Sequence, residues 1–259
     1  MDQRPQPVRT LSVDTLAVQV YASRQEMGAA AAFDVAQRMR ELLAHQPHVR
    51  MVFAAAPSQN EFLATLTSIP DLDWQRVQAF HMDEYVGLDP RAPQGFGNFL
   101  RERLFDRVKP GSVQYINGNA TDPQAECRRY AVLLQAEPLD IVCAGIGENG
   151  HMAFNDPPVA DFDDPQAVKL VQLDQTCRWQ QVHDGAFARI DEVPQTALTM
   201  TMPALMAARW VYCIVPGPTK TEAVTRTLRD PITTACPATI MRRHSQAVLY
   251  LDSEAAAAI

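Results

Sequence analysis

The segment LDIVCAGIGENGHMAFNDPP, residues 139–158, decides how the rest of the chain is interpreted. Residues 139–144 form a short and mainly apolar run, which is typical of a strand buried on both faces of a parallel sheet. Glycines and polar or titratable side chains follow at once: Gly145, Gly147, Gly150, Asn149, His151 and Asp156. Because α/β folds bind ligands at the carboxyl ends of their strands, this turn is predicted to line a site.

The spacing of the three glycines also matches the G-x-G-x-x-G fingerprint of dinucleotide-binding folds. That fingerprint requires a helix that begins at the last glycine, so that its free N–H groups can hold a pyrophosphate. Pro157 and Pro158 follow shortly and cannot lie inside a helix. The sequence therefore favours a catalytic turn, in which glycine lets the backbone approach a small ligand closely.

Composition excludes several classes of partner. The chain has 259 residues, a formal net charge of -7 and 47% hydrophobic residues, with no basic stripe, so nucleic acid is not expected as a partner. No apolar run is long enough to span a membrane, and the N-terminus lacks the apolar core of a signal peptide. The five cysteines form no C-x-x-C pair and are expected to be reduced core residues of a cytoplasmic protein.

Strand-like and helix-like segments alternate along the chain, which predicts an α/β fold with a mostly parallel sheet covered on both faces. No linker divides the sequence, so residues 1–259 are expected to form one domain. The predicted strands are Leu16–Tyr21, Arg50–Ala55, Val77–Met82, Val113–Ile116, Leu139–Ala144, Val168–Leu173, Ala197–Thr201, Trp210–Val215 and Ala247–Leu251. The predicted helices are Arg24–Leu43, with Ser23 as its cap, Ser58–Leu66, Phe96–Val108, Ala125–Gln135, Cys177–Ala188, Pro203–Ala208 and Thr219–Leu228.

Three further loops follow predicted strands and carry candidate site residues. In the first, Ser58, Gln59 and Asn60 stand where a helix begins, and the free N–H groups there attract anions. The alternative is that Ser58 or Asn60 only caps the helix, which is the commoner use of these residue types.

The second loop, HMDEY at residues 81–85, places two adjacent carboxylates after a strand. Neighbours on a pleated strand face opposite ways, so only one of Asp83 and Glu84 can point into a cleft. A carboxylate in a partly dry cleft has a raised pKa and becomes a useful base near neutral pH. One alternative is a solvated acidic turn, and another is a cap for the helix that begins near Phe96. A metal site that includes His81 is a third alternative, but the spacing of these residues matches no known pattern of metal ligands.

The third loop, VPGPTK at residues 215–220, precedes another helix, which Thr219 could cap. A lysine in the first helical turn is unfavourable against the helix dipole unless an anion lies there too. Lys220 is therefore either part of a phosphate site or a side chain that extends into water.

These motifs together resemble those of one family, the glucosamine-6-phosphate deaminases. The matching stretches are HMDEYVGL (81–88), GNFLRERLF (97–105), GIGENGHMAFNDP (145–157) and GPTK (217–220). The likeness runs in order over most of the chain, from about residue 17 to about residue 251. It implies a single three-layer α/β/α sandwich of a modified Rossmann-like kind. It also implies conversion of glucosamine 6-phosphate and water to fructose 6-phosphate and ammonia, with no metal or organic cofactor.

The resemblance also implies a role for each matching residue. His151 opens the sugar ring, Asp83 moves a proton between C2 and C1, and Asn149 and Asp156 support the imidazole. The substrate and its phosphate are assigned to Ser58, Gln59, Asn60, Glu84, Gly147, Gly150, Arg178 and Lys220. The substrate is expected to be an amino-sugar phosphate, glucosamine or its galactosamine epimer, and a homo-oligomer is plausible by family alone.

Some positions depart from the family pattern. Asn149 stands where an aspartate is usual, and an amide orients an imidazole without adding charge. Asp156 stands in place of a glutamate and is one methylene shorter. The family's phosphate-binding arginine has no clear match, since His183 occupies the aligned position and Arg178 lies five residues earlier.

Two alternatives stay open. A 6-phosphogluconolactonase-type hydrolase would share the glycine–histidine turn, but it has no need for the Asp83 segment. A sugar-phosphate sensor that kept the pocket and lost its chemistry is conceivable because of Asn149 and Asp156, although no DNA-binding helix-turn-helix precedes the domain.

Overall fold

Eight strands form the central sheet of the protein in the computed structural model, which describes residues 4–259. In chain order the strands of the fold are β1 (Arg9–Val13), β2 (Leu16–Tyr21), β3 (Val49–Phe53), β4 (Val77–His81), β5 (Asp83–Tyr85), β6 (Ser112–Gln114), β7 (Ile141–Ala144), β8 (Val168–Gln172), β9 (Thr196–Met200), β10 (Trp210–Val215) and β11 (Ala247–Asp252). The order across the sheet is β1-β2-β11-β10-β7-β3-β4-β6. Only β1 is antiparallel to its neighbour, so the predicted mostly parallel sheet is confirmed.

The remaining three strands form a separate antiparallel sheet in the order β5-β9-β8. The predicted strands at Val168 and Ala197 both form and belong to this second sheet, which the alternation of strands and helices does not distinguish from the parallel one. Strand β8 carries Lys169 and Gln172, and Gln172 is exposed. A strand of this kind leaves one face to water, which suits a small antiparallel sheet better than a parallel sheet covered on both faces.

Helices cover both faces of the central sheet. They are α1 (Arg24–Leu43), α2 (Asn60–Ser68), α3 (Phe96–Leu100), α4 (Asp106–Val108), α5 (Pro123–Gln135), α6 (Gln175–His183), α7 (Met202–Met206) and α8 (Thr221–Arg229), with a π-helical turn, Arg101–Phe105, joining α3 to α4. Side chains of β7 alternate between two cores, because Ile141 packs with α1 and α2 while Val142 packs with α5 and α8. This arrangement is the predicted α/β/α sandwich.

Local signals account for several helix ends. The Ser23 hydroxyl accepts a hydrogen bond from the Glu26 N–H at 3.2 Å, so the predicted cap of α1 is confirmed. Helix α6 ends at His183, five residues before the predicted end at Ala188. Gly185 lies just beyond it with a φ of +75°, a conformation that glycine adopts readily and that ends helices.

The central strands bring the predicted site loops together. Strands β10, β7, β3 and β4 are neighbours in the sheet and run parallel, so their carboxyl ends lie at one edge. The three further loops and the glycine turn each follow one of these four strands. All five cysteines are buried and free, as expected. Within residues 4–259, no helix has the length and apolarity needed to cross a membrane.

Candidate active site

A cleft opens at the carboxyl ends of β10, β7, β3 and β4. Each of the four loops contributes to its lining, and so does helix α6. The polar or glycine residues of the lining are Ser58, Gln59, Asp83, Gly145, Gly147, His151, Gln180, Gln181, Asp184 and Lys220. The structure therefore brings together six of the twelve residues assigned from sequence: Ser58, Gln59, Asp83, Gly147, His151 and Lys220.

Asp83 lies where the chain passes from the central sheet into the antiparallel sheet. Between these two strands, β4 and β5, stands only Met82, whose carbonyl accepts a hydrogen bond from the Met200 N–H at 2.8 Å. The fully buried His81 fixes the step, since its Nδ1 lies 2.9 Å from the Asp83 carbonyl and its Nε2 lies 2.9 Å from the Ile116 N–H. Nδ1 therefore donates and Nε2 accepts. Burial lowers the pKa of His81 to about 4, so the ring stays neutral.

Asp83 and Glu84 point to opposite sides of β5, as the pleat requires. Asp83 is 6% exposed and lines the cleft. Burial, and secondarily the charge of Glu84, raises its pKa well above the usual range. A carboxylate with these properties can accept a proton from a carbon acid more readily than one in water.

Glu84 does not line the cleft, so its assignment to substrate binding is corrected. Its carboxylate accepts hydrogen bonds from the N–H groups of Tyr85, Phe96 and Gly97 at 2.9–3.1 Å. Two of these groups are at the start of α3, where backbone donors have no helical partner. Glu84 caps that helix, which is one of the alternatives that the sequence left open.

The turn after β7 holds a compact hydrogen-bonded relay, Asn149–His151–Asp156. The imidazole Nδ1 of His151 lies 2.8 Å from Asn149 Oδ1 and 2.9 Å from Asp156 Oδ1. Asn149 Nδ2 also donates to Asp156 Oδ1 at 2.9 Å. Asp156, although shorter than glutamate, thus reaches the imidazole directly. Since Nδ1 is occupied, Nε2 is the ring nitrogen left for a ligand.

Two glycines of this turn have different functions. A Cβ atom on Gly147 would lie only 2.0–2.4 Å from ring atoms of His151, so the imidazole packs flat on that backbone. Gly150 has a φ of +84° and lies against Cys236, away from the cleft. The assignment of Gly150 to substrate binding is therefore wrong, and a glycine stands there because the turn needs a positive φ. No helix begins there, so the dinucleotide fingerprint lacks its required partner.

Cys177 of α6 is a residue that sequence reasoning assigned only to the core. Its sulfur, a nitrogen of His151 and an oxygen of Asp156 all lie within 4.8 Å of one another. Burial raises the pKa of the thiol well above its ordinary value, so it remains protonated. Burial favours a raised pKa for Asp156 too, but His151, Asn149 and the thiol outweigh it and hold the carboxylate ionised.

Lys220 also lines the cleft, from the turn between β10 and α8. Gly217 opens this turn with a φ of +91°, and its N–H donates to both carboxylate oxygens of the buried Asp252 at 2.9–3.0 Å. Thr219 forms no side-chain cap, contrary to one sequence alternative. Asp252 holds the loop from a strand far along the chain, a role that no local sequence signal reveals.

The Lys220 side chain is only 5% exposed and faces acidic neighbours. Burial lowers the pKa of its ammonium, and the nearby charges of Asp184 and Glu148 partly oppose that effect. A buried cation gains most from an anion that enters beside it. The turn can therefore bind a phosphate or another anion.

The loop after β3 contributes Ser58 and Gln59 to the cleft, without any side-chain cap on the helix. Gln59 Nε2 donates to Ser58 Oγ at 3.1 Å and to the Ile214 carbonyl at 3.2 Å. Asn60 faces away and accepts a hydrogen bond from Arg103 at 2.9 Å, so its assignment to phosphate binding is corrected.

Neither candidate for the missing arginine lies at the cleft. The Arg178 guanidinium donates to the carbonyls of Ile190 and Val193 at 2.6 and 2.9 Å, which makes it structural. The assignment of Arg178 to phosphate binding is therefore wrong. His183 is half-exposed and lies 3.5 Å from Glu148.

Comparison with known proteins agrees with this geometry. The family model described as glucosamine-6-phosphate isomerases/6-phosphogluconolactonase matches residues 22–250. The chain is 36% identical over 185 residues to a glucosamine-6-phosphate deaminase of Exiguobacterium sibiricum, covering 71% of each protein. A deaminase of the same name from Bacillus thuringiensis is 36% identical over 184 residues, which cover 71% of this chain and 68% of the relative.

Solved structures share the fold. A monomeric glucosamine-6-phosphate deaminase superposes with a TM-score of 0.86 and 29% identity, over 93% of this chain and 98% of the other. The 6-phosphogluconolactonase of Thermotoga maritima gives a TM-score of 0.74 at 20% identity, over 92% and 99%, and that likeness concerns the fold alone.

Proposed function

The chain belongs to the family of glucosamine-6-phosphate isomerases and 6-phosphogluconolactonases, and we propose that it converts an amino-sugar 6-phosphate to a ketose 6-phosphate with release of ammonia. The substrate that its relatives favour is glucosamine 6-phosphate, which gives fructose 6-phosphate. The observation that carries the proposal is the pairing of a buried Asp83 and the supported imidazole of His151 in one cleft.

In this mechanism the ring opens first. His151 Nε2 transfers a proton between the C1 hydroxyl and the ring oxygen, while Asn149 and Asp156 hold Nδ1 and stabilise the imidazolium. The result is the open-chain aldehyde with its C2 hydrogen activated by the neighbouring carbonyl.

Asp83 then carries the proton from C2 to C1. Loss of the C2 proton to its carboxylate, with protonation of the C1 oxygen, forms an enolamine. Return of the proton from Asp83 to C1, with loss of one proton from the amino group, leaves an imine at C2, so no proton is gained or lost overall. Water adds to the imine carbon, and ammonia departs as the ketone forms. The raised pKa of Asp83 suits both halves of the transfer, because the group must accept a proton and release it.

Lys220 and the Ser58 turn hold the phosphate, so that C2 lies over Asp83. The reaction uses no group beyond these side chains and water, so we propose no metal or organic cofactor. We further place the enzyme in the cytoplasm, as a single domain, and leave a homo-oligomer as an expectation of the family.

A test follows the two products. Purified protein is incubated with glucosamine 6-phosphate, and ammonia and fructose 6-phosphate are measured beside the Asp83→Asn variant. We expect both products from the wild type and a loss of kcat between about 10²- and 10⁴-fold in the variant. An Asp83→Asn protein with wild-type turnover would exclude Asp83 as the base.

The same preparation separates the alternatives. Hydrolysis of 6-phosphogluconolactone without ammonia release would favour the lactonase, and ligand binding with neither reaction would favour a sensor. The cleft argues for the deaminase, since lactone hydrolysis has no use for a buried carboxylate at the position of Asp83.

A further inference from the structure

Helix α6 borders the cleft, and Gln181 and Asp184, the residue that follows the helix, line it. Cys177, Gln181 and Asp184 follow at i, i+4 and i+7, the spacing of residues on one side of a helix. Cys177 lies beside the relay of His151 and Asp156. Asp184 lies near Lys220. Seven residues of helix rise about 10 Å, which is comparable with the length of an extended hexose phosphate.

Gln181 occupies the middle of this face, and only half of its amide is used. The side chain is 8% exposed and lines the cleft. Its Oε1 accepts a hydrogen bond from the Tyr85 hydroxyl at 2.8 Å. Within residues 4–259, its Nε2 forms no hydrogen bond. A buried amide with one end fixed and the other open is suited to donate to a ligand.

The orientation of the amide is set by Tyr85. Tyr85 is 1% exposed, packed between Phe96, Phe154 and Phe187, with ring centroids 4.8–5.6 Å apart. Burial raises the pKa of this phenol, so the hydroxyl keeps its hydrogen and can donate it to Oε1. Because Oε1 is bound by Tyr85, the NH2 group is the part of the Gln181 amide left for a ligand.

Gln180 provides the contrast within the same helix. It also lines the cleft, but its Oε1 accepts from the Glu148 N–H at 2.8 Å and its Nε2 donates to Asp184 at 3.3 Å. Both of its functional ends have protein partners. Of these two adjacent glutamines, Gln181 is therefore the one with a donor available to substrate.

We propose that Gln181 is a specificity-determining residue, which donates through Nε2 to the C4 hydroxyl oxygen of the sugar phosphate. With C2 over Asp83 and the phosphate at Lys220, that hydroxyl lies between the two, on the side of Gln181. The inference rests on the proposed function for this orientation of the substrate, and Tyr85 acts as the positioning residue.

The test replaces Gln181 by Met, which has similar length and no donor. Steady-state kinetics are measured for glucosamine 6-phosphate and galactosamine 6-phosphate, which differ only at C4. Losing one neutral hydrogen bond should raise KM roughly fivefold with little change in kcat, and it should alter the preference between the epimers. Gln175→Met, on the exposed side of α6, is the matched control and should behave as the wild type.

A second pair of variants keeps the test decisive if Gln181→Met folds poorly. Gln181→Glu retains the acceptor for Tyr85 and loses the donor, so it should show at least the same loss. Tyr85→Phe should reproduce part of the effect, and combining it with Gln181→Met should add little further. Wild-type KM and epimer preference in both Gln181 variants would overturn the proposal.

Failure of the proposed function gives a different result. If the wild type releases no ammonia from either epimer, calorimetric binding of 2-amino-2-deoxyglucitol 6-phosphate is compared instead. A roughly fivefold weaker affinity in Gln181→Met would then support the contact alone, and equal affinity would exclude it.

Discussion

Two parts of the cleft are built differently. In the relay, Asn149, His151 and Asp156 come from one short turn and bind one another at 2.8–2.9 Å. At the anchor, Lys220 is the only lysine or arginine among the described residues that line the cleft, and it lies near Asp184. In the proposed mechanism the ring-opening group is thus supported within one local turn, whereas the base Asp83 and the phosphate anchor come from other segments of the chain.

This difference indicates which site residues can be substituted without loss of catalysis. A relay whose members bind one another tolerates few substitutions, because each loss leaves a buried polar group without its partner. The anchor has open donors and an acidic neighbour, so changes there should alter substrate preference before they remove catalysis.

The largest effect is expected when the negative charge of Asp156 is removed from the relay. Asp156→Asn keeps the shape of the side chain but cannot stabilise an imidazolium, so kcat should fall between about 10²- and 10³-fold with little change in KM. Stopped assays of ammonia release measure both constants, and Asp163→Asn on the exposed loop serves as the control. A change confined to KM would show that Asp156 belongs to recognition instead.

A smaller effect is expected at the anchor. Lys220→Met removes a charge-assisted contact to phosphate, and KM for glucosamine 6-phosphate should rise about 10- to 100-fold with kcat largely kept. Discrimination against unphosphorylated glucosamine should shrink by the same factor. Lys109→Met, an exposed lysine, is the control. Undiminished preference for the phosphorylated sugar would remove Lys220 from the anchor.

The smallest expected effect is a shift in the pH dependence of kcat/KM. Asp83 must be ionised to accept a proton, so kcat/KM rises with pH as this carboxyl titrates. Its raised pKa places that rise above the range of an ordinary aspartate, and Glu84→Gln should move the rise to lower pH because one like charge is removed. The pH profile of kcat/KM measures this, with Glu222→Gln as the control. An unmoved profile would mean that burial alone sets the titration.

Much of the architecture could be predicted because its signals are local. Apolar runs placed the parallel strands, and their order along the chain placed Asp83, His151 and Lys220 at the same edge of the sheet. Alternation along β5 predicted that only one of two carboxylates would enter the cleft. Which one it is depends on α3, whose free N–H groups bind Glu84.

The remaining residues are decided by contacts between distant segments. Arg178 is bound by carbonyls of Ile190 and Val193, and Asn60 by Arg103, so neither can serve the cleft. In the sequence, Cys177 has the pattern of an ordinary core residue. Only the folded structure shows that it lies beside Asp156. Gln181 gives no sequence signal, because its importance comes from the phenol that orients it.

The passage of the chain from one sheet to the other at His81 has a mechanical consequence. Asp83 is held by both sheets. It pairs with Thr199 in the antiparallel sheet, and its carbonyl is bound by the ring of His81, the last residue of β4 in the parallel sheet. Any shear between the sheets would displace the carboxylate relative to the imidazole, so the joint must stay stiff for both to contact one hexose. Deleting Met82 would shift the strand by one residue, so that Glu84 would take the position of Asp83 and Asp83 would point to the opposite face.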